Sequence, residues 1–152
     1  MNITPAERGD LRAILDLQYL AYQSEAQLLN DFSIPPLRQR LEDVEKEFVE
    51  GLVLKAVSEQ GEIIGSVRGR SENGTLYVGK LMVRPDHQGK GLGTRLLAAI
   101  EKCLPHSRYE LFTSDRSAAN LRLYEKAGYT RFAEKRIKAG LTFIYLEKRS
   151  LP

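Results

Sequence analysis

The densest chemistry in this chain lies in the run Val83-Arg84-Pro85-Asp86-His87-Gln88-Gly89-Lys90-Gly91-Leu92-Gly93-Thr94-Arg95-Leu96-Leu97. An apolar, β-prone stretch at 76–83 enters a glycine-rich loop, and the loop opens onto a helical pattern. A helix started this way leaves backbone N–H groups unpaired at the end where its dipole favours negative charge. Glycine lets the main chain approach a ligand closely and adopt positive φ. Lys90 and Arg95 add positive charge beside the loop. The chemistry is that of an anion cradle, and a pyrophosphate suits it best. A P-loop would require Gly-Lys-Ser/Thr, which is absent. A dinucleotide fingerprint would require Gly-x-Gly-x-x-Gly, which Gly89-Lys90-Gly91-Leu92-Gly93 does not supply. Taken alone, the loop also fits a turn that merely tightens strand–helix packing.

A second group follows at Asn120-Leu121-Arg122-Leu123-Tyr124-Glu125-Lys126-Ala127-Gly128-Tyr129. On a helix, Tyr124 shares a face with Leu121 and with Asn120 one turn earlier. By itself Tyr124 reads equally as an apolar contact. Gly128 stands just past the helix, where a left-handed C-cap is wanted. Taken in order, Gln88-x-x-Gly91-x-Gly93 after a strand and Leu123-Tyr124-x-Lys126-x-Gly128-Tyr129 on a helix resemble the GNAT superfamily of acyl-CoA-dependent N-acyltransferases. The resemblance covers essentially the whole chain but is specific only over residues 76–129.

That resemblance implies acetyl-CoA as acyl donor, no metal, and a primary amine of a small molecule or protein as acceptor. The backbone of Leu81, Met82 and Val83 would pair with the pantetheine arm like an extra half-strand. The amides of Gln88, Gly89, Lys90, Gly91, Leu92, Gly93 and Thr94 would hold the pyrophosphate. An amide near Met82 would polarise the thioester carbonyl. Tyr124 would protonate the departing thiolate. A phenol of pKa about 10 stays protonated at neutral pH and lies near a thiol's value of about 8.5. Asn120 would bond the pantetheine or a water, or remain a plain surface amide.

The base is left open. Some relatives carry Glu on the strand before the loop, and Tyr77 stands there by spacing. Deprotonation then runs through waters and backbone carbonyls, or through a carboxylate of the helical region. Glu25 and Asp31 are the candidates, set against their reading as solvated charges. Tyr19, Tyr22 and Tyr77 either line an aromatic entrance or belong to the core. His87 and His106 lack metal-ligand spacing. The alternative function on the same fold is a non-catalytic acyl-CoA-binding sensor or interaction module.

The elements that must position these residues follow from periodicity. A strand is expected at 1–3, a helix at 11–22 capped by Asp10, and a second helix at 37–50 ended by Gly51. Pro35-Pro36 is expected to keep 31–36 as loop. Strands are expected at 52–58, 62–70 and 76–83, the last two joined through Asn73-Gly74. A helix at 91–104, a strand at 109–113, a helix ending at 127 with Ser117 or Asp115 as cap, and strands at 130–133 and 141–147 complete the order. Together with the resemblance this implies an α/β (α+β) fold. Its mixed, mostly antiparallel sheet has about six to seven strands flanked by about four helices.

The chain of 152 residues is expected to form a single GNAT-like domain over 1–152. The net charge of +3 spreads 23 basic residues among 20 acidic ones, which argues against nucleic acid as partner. Only 131–138 is locally basic, as a solvated strand edge would be. The single cysteine, Cys103, excludes an internal disulfide and is expected to pack as a small hydrophobe. No apolar run is long enough to span a bilayer and no signal-peptide start is present, so no membrane partner and a cytoplasmic location are expected. The expected oligomeric state is monomer or homodimer.

Overall fold

The alternating apolar segments assemble into one seven-stranded sheet, and the computed structural model describes residues 1–150 of it and its helices. The strands are β1 (Asn2–Pro5), β2 (Leu52–Val57), β3 (Ile63–Glu72), β4 (Thr75–Val83), β5 (Arg108–Ser114), β6 (Thr130–Lys138) and β7 (Leu141–Arg149). Their spatial order is β1-β2-β3-β4-β5-β7-β6. Every neighbouring pair is antiparallel except β4 and β5, which run parallel. The helices are α1 (Leu11–Ala21), α2 (Gln23–Leu29), α3 (Pro35–Arg38), α4 (Leu41–Glu50), α5 (Leu92–Cys103) and α6 (Ala118–Lys126). Among the described residues no helix is long and apolar enough to cross a membrane.

The helices divide between the two faces of the sheet. On one face Leu76 and Val78 of β4 pack with Leu96, Leu97 and Ile100 of α5 and with Leu121 and Tyr124 of α6. On the other, Val53 and Met82 pack with Leu11, Ile14, Leu15 and Leu17 of α1 and Val44 of α4. Val78 and Met82 would share a face in an unbroken strand, because side chains alternate with period two. They do not, because β4 carries one extra residue. Arg68 of β3 faces Gly79 and Ser66 faces Met82, so three steps on β4 oppose two on β3. Lys80 takes up that residue with φ 50°, a left-handed conformation uncommon outside glycine. The bulge reverses which way the end of β4 faces.

The helical region differs most from the sequence expectation. Pro35 and Pro36 begin the short helix α3 instead of preventing it. The first turn of a helix leaves its N–H groups unpaired, so proline loses nothing there. The helix expected at 37–50 starts only at Leu41, and 23–29 is helical where none was assigned. Asp10 precedes α1 without capping it. Its carboxylate accepts the Glu7 amide at 2.8 Å and the Lys55 ammonium at 2.7 Å. Neither Ser117 nor Asp115 caps α6 with its side chain. Asp115 accepts the Thr142 amide, and Ser117 is used elsewhere.

Cys103 is exposed, not packed. Helix α5 ends at that residue, and Leu104 turns against the core in its place. The basic run is a solvated edge, as expected: all nine residues of β6 are exposed. Charged side chains on an outer strand discourage edge-to-edge pairing.

Candidate active site

Strands β4 and β5 part beside the candidate site, and neither Tyr124 nor any residue from Gln88 to Thr94 lines the gap they leave. The two strands pair only from Thr75–Arg108 to Tyr77–Glu110, and beyond those residues they separate. A cavity of about 500 Å³ opens at the fork, between Val78, Gly79 and Lys80 on one side and Glu110, Leu111 and Phe112 on the other. From Val78 onward β4 presents to this gap a backbone edge that β5 does not use.

At the far end of β4 the chain makes a tight turn at Pro85–His87. Arg84 anchors it, bonding Asp86 at 2.7 Å and Glu62 at 3.1 Å. The Gln88 side-chain Nε2 donates to the Val83 carbonyl at 3.1 Å, and its backbone N–H, expected to hold the pyrophosphate, instead donates to the Pro85 carbonyl at 3.4 Å, closing the turn. Gly89 and Gly91 then take φ 78° and 80°. Gly91 is the N-cap of α5, and the first amide to rejoin the helical ladder is that of Arg95, bonded to the Gly91 carbonyl at 3.1 Å. Among the described residues, no amide from Gly89 to Thr94 donates to another protein group. Gly93 serves packing instead. A Cβ there would lie 3.0 Å from Leu123 of α6, so a small residue lets α5 and α6 close together.

Tyr124 projects from α6 and is 7% exposed, with its ring 6.3 Å from that of Tyr129. Burial raises its pKa first, and Tyr22 and Glu25 raise it further. The phenol therefore holds its proton throughout the neutral range. Glu25, on α2, accepts a hydrogen bond from the Ser117 hydroxyl at 2.8 Å, at the start of α6. The structure thus brings Glu25 within electrostatic reach of Tyr124. Asp31, the other carboxylate considered, is committed to Ser33 and to Lys138 of β6. Asn120 donates to the Thr113 hydroxyl at 3.3 Å, linking α6 to β5. Leu81 packs toward the α5 face, and Met82 toward the α1 face.

A charged network under the fork has no counterpart in the sequence reading. Arg68, 5% exposed at the centre of β3, donates to Glu47 of α4 at 2.7 Å and to Gln18 of α1 at 2.7 Å. Gln39 receives a third bond at 3.3 Å. Gln18 in turn donates to Gln39 and to the Pro36 carbonyl, each at 2.8 Å. The Arg68 Nε is buried without a partner. Lys80, turned by the bulge, lies 3.7 Å from the same Glu47. Tyr22 joins this group: burial pushes its pKa up to about 12, while the Arg68 charge works against that rise. A signal was present. Gln18 falls on the apolar stripe of Leu11, Ile14 and Leu15, and a polar side chain on a buried stripe needs partners.

Of the three tyrosines, Tyr77 lines the cavity with the Arg70 guanidinium 5.0 Å above its ring. Tyr22 belongs to the buried network, and Tyr19 donates to the Gln39 carbonyl. Glu110 of β5 stands directly opposite Tyr77 but is paired with Arg108 at 2.8 Å. His87 sits against Arg84, and His106 bonds Ser71 at 2.7 Å on an exposed edge; neither reaches the fork.

A forked sheet with a bulged fourth strand and an open glycine loop defines a class. The chain belongs to the acetyltransferase (GNAT) family, whose profile matches residues 11–129. Solved structures of similar fold include the ribosomal-protein-S18-alanine N-acetyltransferase from Escherichia coli, with TM-score 0.80 and 18% identity over 97% of this chain and 92% of that one. A second is yncA, an acetyltransferase-like protein from Salmonella typhimurium solved with acetyl-CoA, with TM-score 0.75 and 23% identity over 100% and 97%. A third is an aminoglycoside 6'-N-acetyltransferase complexed with coenzyme A, with TM-score 0.78 and 19% identity over 100% and 98%. UPF0157 protein YqkA of Bacillus subtilis (strain 168) is 25% identical over 131 residues. The match covers 86% of this chain and 37% of YqkA, so the chain spans little more than a third of that relative.

Proposed function

We propose that the chain transfers the acetyl group of acetyl-CoA to a primary amine. The observation that carries this reading is the set of amides from Gly89 to Thr94 that no protein group uses, at the N-terminus of a twelve-residue helix. They would grip the pyrophosphate. The pantetheine would then run back along the free edge at Leu81, Met82 and Val83 as an added half-strand. That path delivers the thioester to the fork, where a main-chain N–H at the bulge would stabilise the tetrahedral oxyanion.

The chemistry balances with this chain's own groups. The amine nitrogen attacks the carbonyl carbon and the C–S bond breaks. The Tyr124 hydroxyl gives its proton to the leaving sulfur. The phenolate regains a proton from the nitrogen as the amide forms. The raised pKa of Tyr124 ensures that the proton is present at the start. An acceptor that arrives as an ammonium must first lose one proton, and Glu25, which accepts the Ser117 hydroxyl at the start of α6, would receive it.

The test is twofold. Titrating acetyl-CoA should raise the melting temperature, by linkage to a site present only in the folded chain. An amine panel should then release free thiol. No thermal shift at millimolar acetyl-CoA would sink the reading. A shift without thiol release from any amine would select a sensor on the same fold.

Gly91→Val probes the loop directly. Nothing lies within 4 Å of a Cβ at Gly91, so no clash arises with the rest of the protein. The cost is about 1–2 kcal/mol of left-handed strain, plus a side chain placed over the open amides. Acetyl-CoA affinity should fall about tenfold or more in calorimetric titration, with only a small drop in Tm. Unchanged affinity would place the anion elsewhere.

A further inference from the structure

Four acidic and four basic residues line the cavity at the fork, but the two signs are not evenly placed. Its floor holds two cations, Arg68 and Lys80, against one carboxylate, Glu47. Glu47 is already committed to Arg68 at 2.7 Å, whereas Lys80 stands 3.7 Å away. The other acidic groups facing the cavity are spoken for or lie outside. Glu110 is paired with Arg108, Arg70 is paired with Glu72, and Glu50 lies exposed at the end of α4. Asp43 caps α4 by accepting the Arg40 amide, and it shares the exposed rim with Lys46.

An excess cation held away from water is costly unless an anion joins it. Burial is the main cause that lowers the pKa of each floor cation, Glu47 opposes it in both, and Arg68 lowers that of Lys80 further. Lys80, at φ 50° in the bulge, lines the cavity that Arg68 also lines, and the buried Arg68 Nε lacks a partner among the described residues. Beside these cations the cavity wall is apolar, with Leu111, the half-exposed Phe112 and Tyr145. The ring centroids of Phe112 and Tyr145 are 5.4 Å apart.

We infer that the acceptor amine carries a carboxylate of its own, which Lys80 binds above the Arg68–Glu47 pair, while an apolar substituent lies on Phe112 and Tyr145. The class is the small amino acid, for which a cavity of about 500 Å³ is the right scale. A polyamine or a lysine side chain in a protein would bring a second uncompensated cation, or no anion, to the same place. The carboxylate does not react. The amine nitrogen exchanges one hydrogen for the acetyl group, and coenzyme A leaves as the free thiol. This inference rests on the acetyl-transfer reading and narrows its acceptor.

The experiment compares the proteinogenic amino acids with their own carboxamides and with a polyamine, by thiol release from acetyl-CoA. The best amino acid should exceed its carboxamide in kcat/KM by about tenfold or more. That is the loss expected when a site built for a charged partner meets an analogue lacking it. K80M should bring that ratio close to one, chiefly through KM, and K80R should restore most of it. Melting temperatures of both variants establish that they are folded. If K80M does not fold, the ratio in the unaltered protein and its persistence in K80R still decide. A preference for carboxamides or polyamines, turnover of no amino acid, or a ratio indifferent to K80M would each overturn the inference. A preference for carboxamides or polyamines leaves acetyl transfer standing, whereas failure to bind acetyl-CoA removes both.

Discussion

Replacing Tyr124 by phenylalanine is expected to lower kcat about a hundredfold or more and to leave acetyl-CoA affinity near its original value. A positioned proton donor contributes on the order of 10²–10⁴ to a rate. The ring packs among Leu121, Tyr129 and the α5 side chains, and phenylalanine keeps all of that packing. None of the influences on the phenol is a hydrogen bond among the described residues, so its removal strands no buried partner. Tm should therefore change little. In the proposed reading the coenzyme is held by the loop amides from Gly89 to Thr94, which the substitution does not touch. Steady-state kinetics with calorimetric titration of both proteins checks the split. An unaltered kcat would remove Tyr124 from the mechanism.

The second large effect is on stability. Glu47→Leu should cost about 3 kcal/mol, because it leaves the Arg68 guanidinium buried with only the neutral oxygens of Gln18 and Gln39. Lys80 loses its carboxylate partner among the described residues at the same time. For a chain of this size that corresponds to a fall in Tm of roughly 10 °C. Adding Arg68→Met to Glu47→Leu should recover a good part of the loss, since an apolar pair of similar volume has no charge to strand. Urea and thermal unfolding of the two single variants and the double variant measure the coupling directly. A Glu47→Leu protein as stable as the original would mean that water reaches Arg68 and that the pair contributes nothing.

The two halves of the candidate site differ in how readable they are. The anion loop depends on contiguous residues: a strand, glycines with positive φ, a helix start. Local chemistry decides each of these, and the structure leaves the loop amides open as the composition implies. Tyr124 is similar, because helical spacing puts it on the inner face with Leu121. By contrast, Arg68, Glu47, Gln18 and Lys80 come from β3, α4, α1 and β4, and no spacing relates them. Lys80 is the sharpest case. By alternation it should share the face of Leu76 and Val78. One extra residue in β4 turns it to the other side, and only the pairing with β3 shows that an extra residue is there.

The helical region failed to read for the same reason. Pro35-Pro36 argues against helix by propensity, but propensity is a weak term. A helix whose first turn begins on those prolines costs nothing when its following residues dock on α1. Gln18 holds that docking in place through the Pro36 carbonyl. Cys103 shows the converse. Its apolar character predicted burial, but α5 ends at that residue and Leu104 packs against the core instead.

From its residues alone this chain determines a run of strands and helices, an anion-binding helix start and a phenol three residues past a leucine on a helix. All of these are set by backbone preferences acting over a few residues. The fork between β4 and β5, the carboxylate brought to the base of α6, and the surplus positive charge beneath the cavity arise only when distant segments pack. Burial strengthens electrostatics between groups that in the unfolded chain are far apart and screened by water, so their partnership has no local trace.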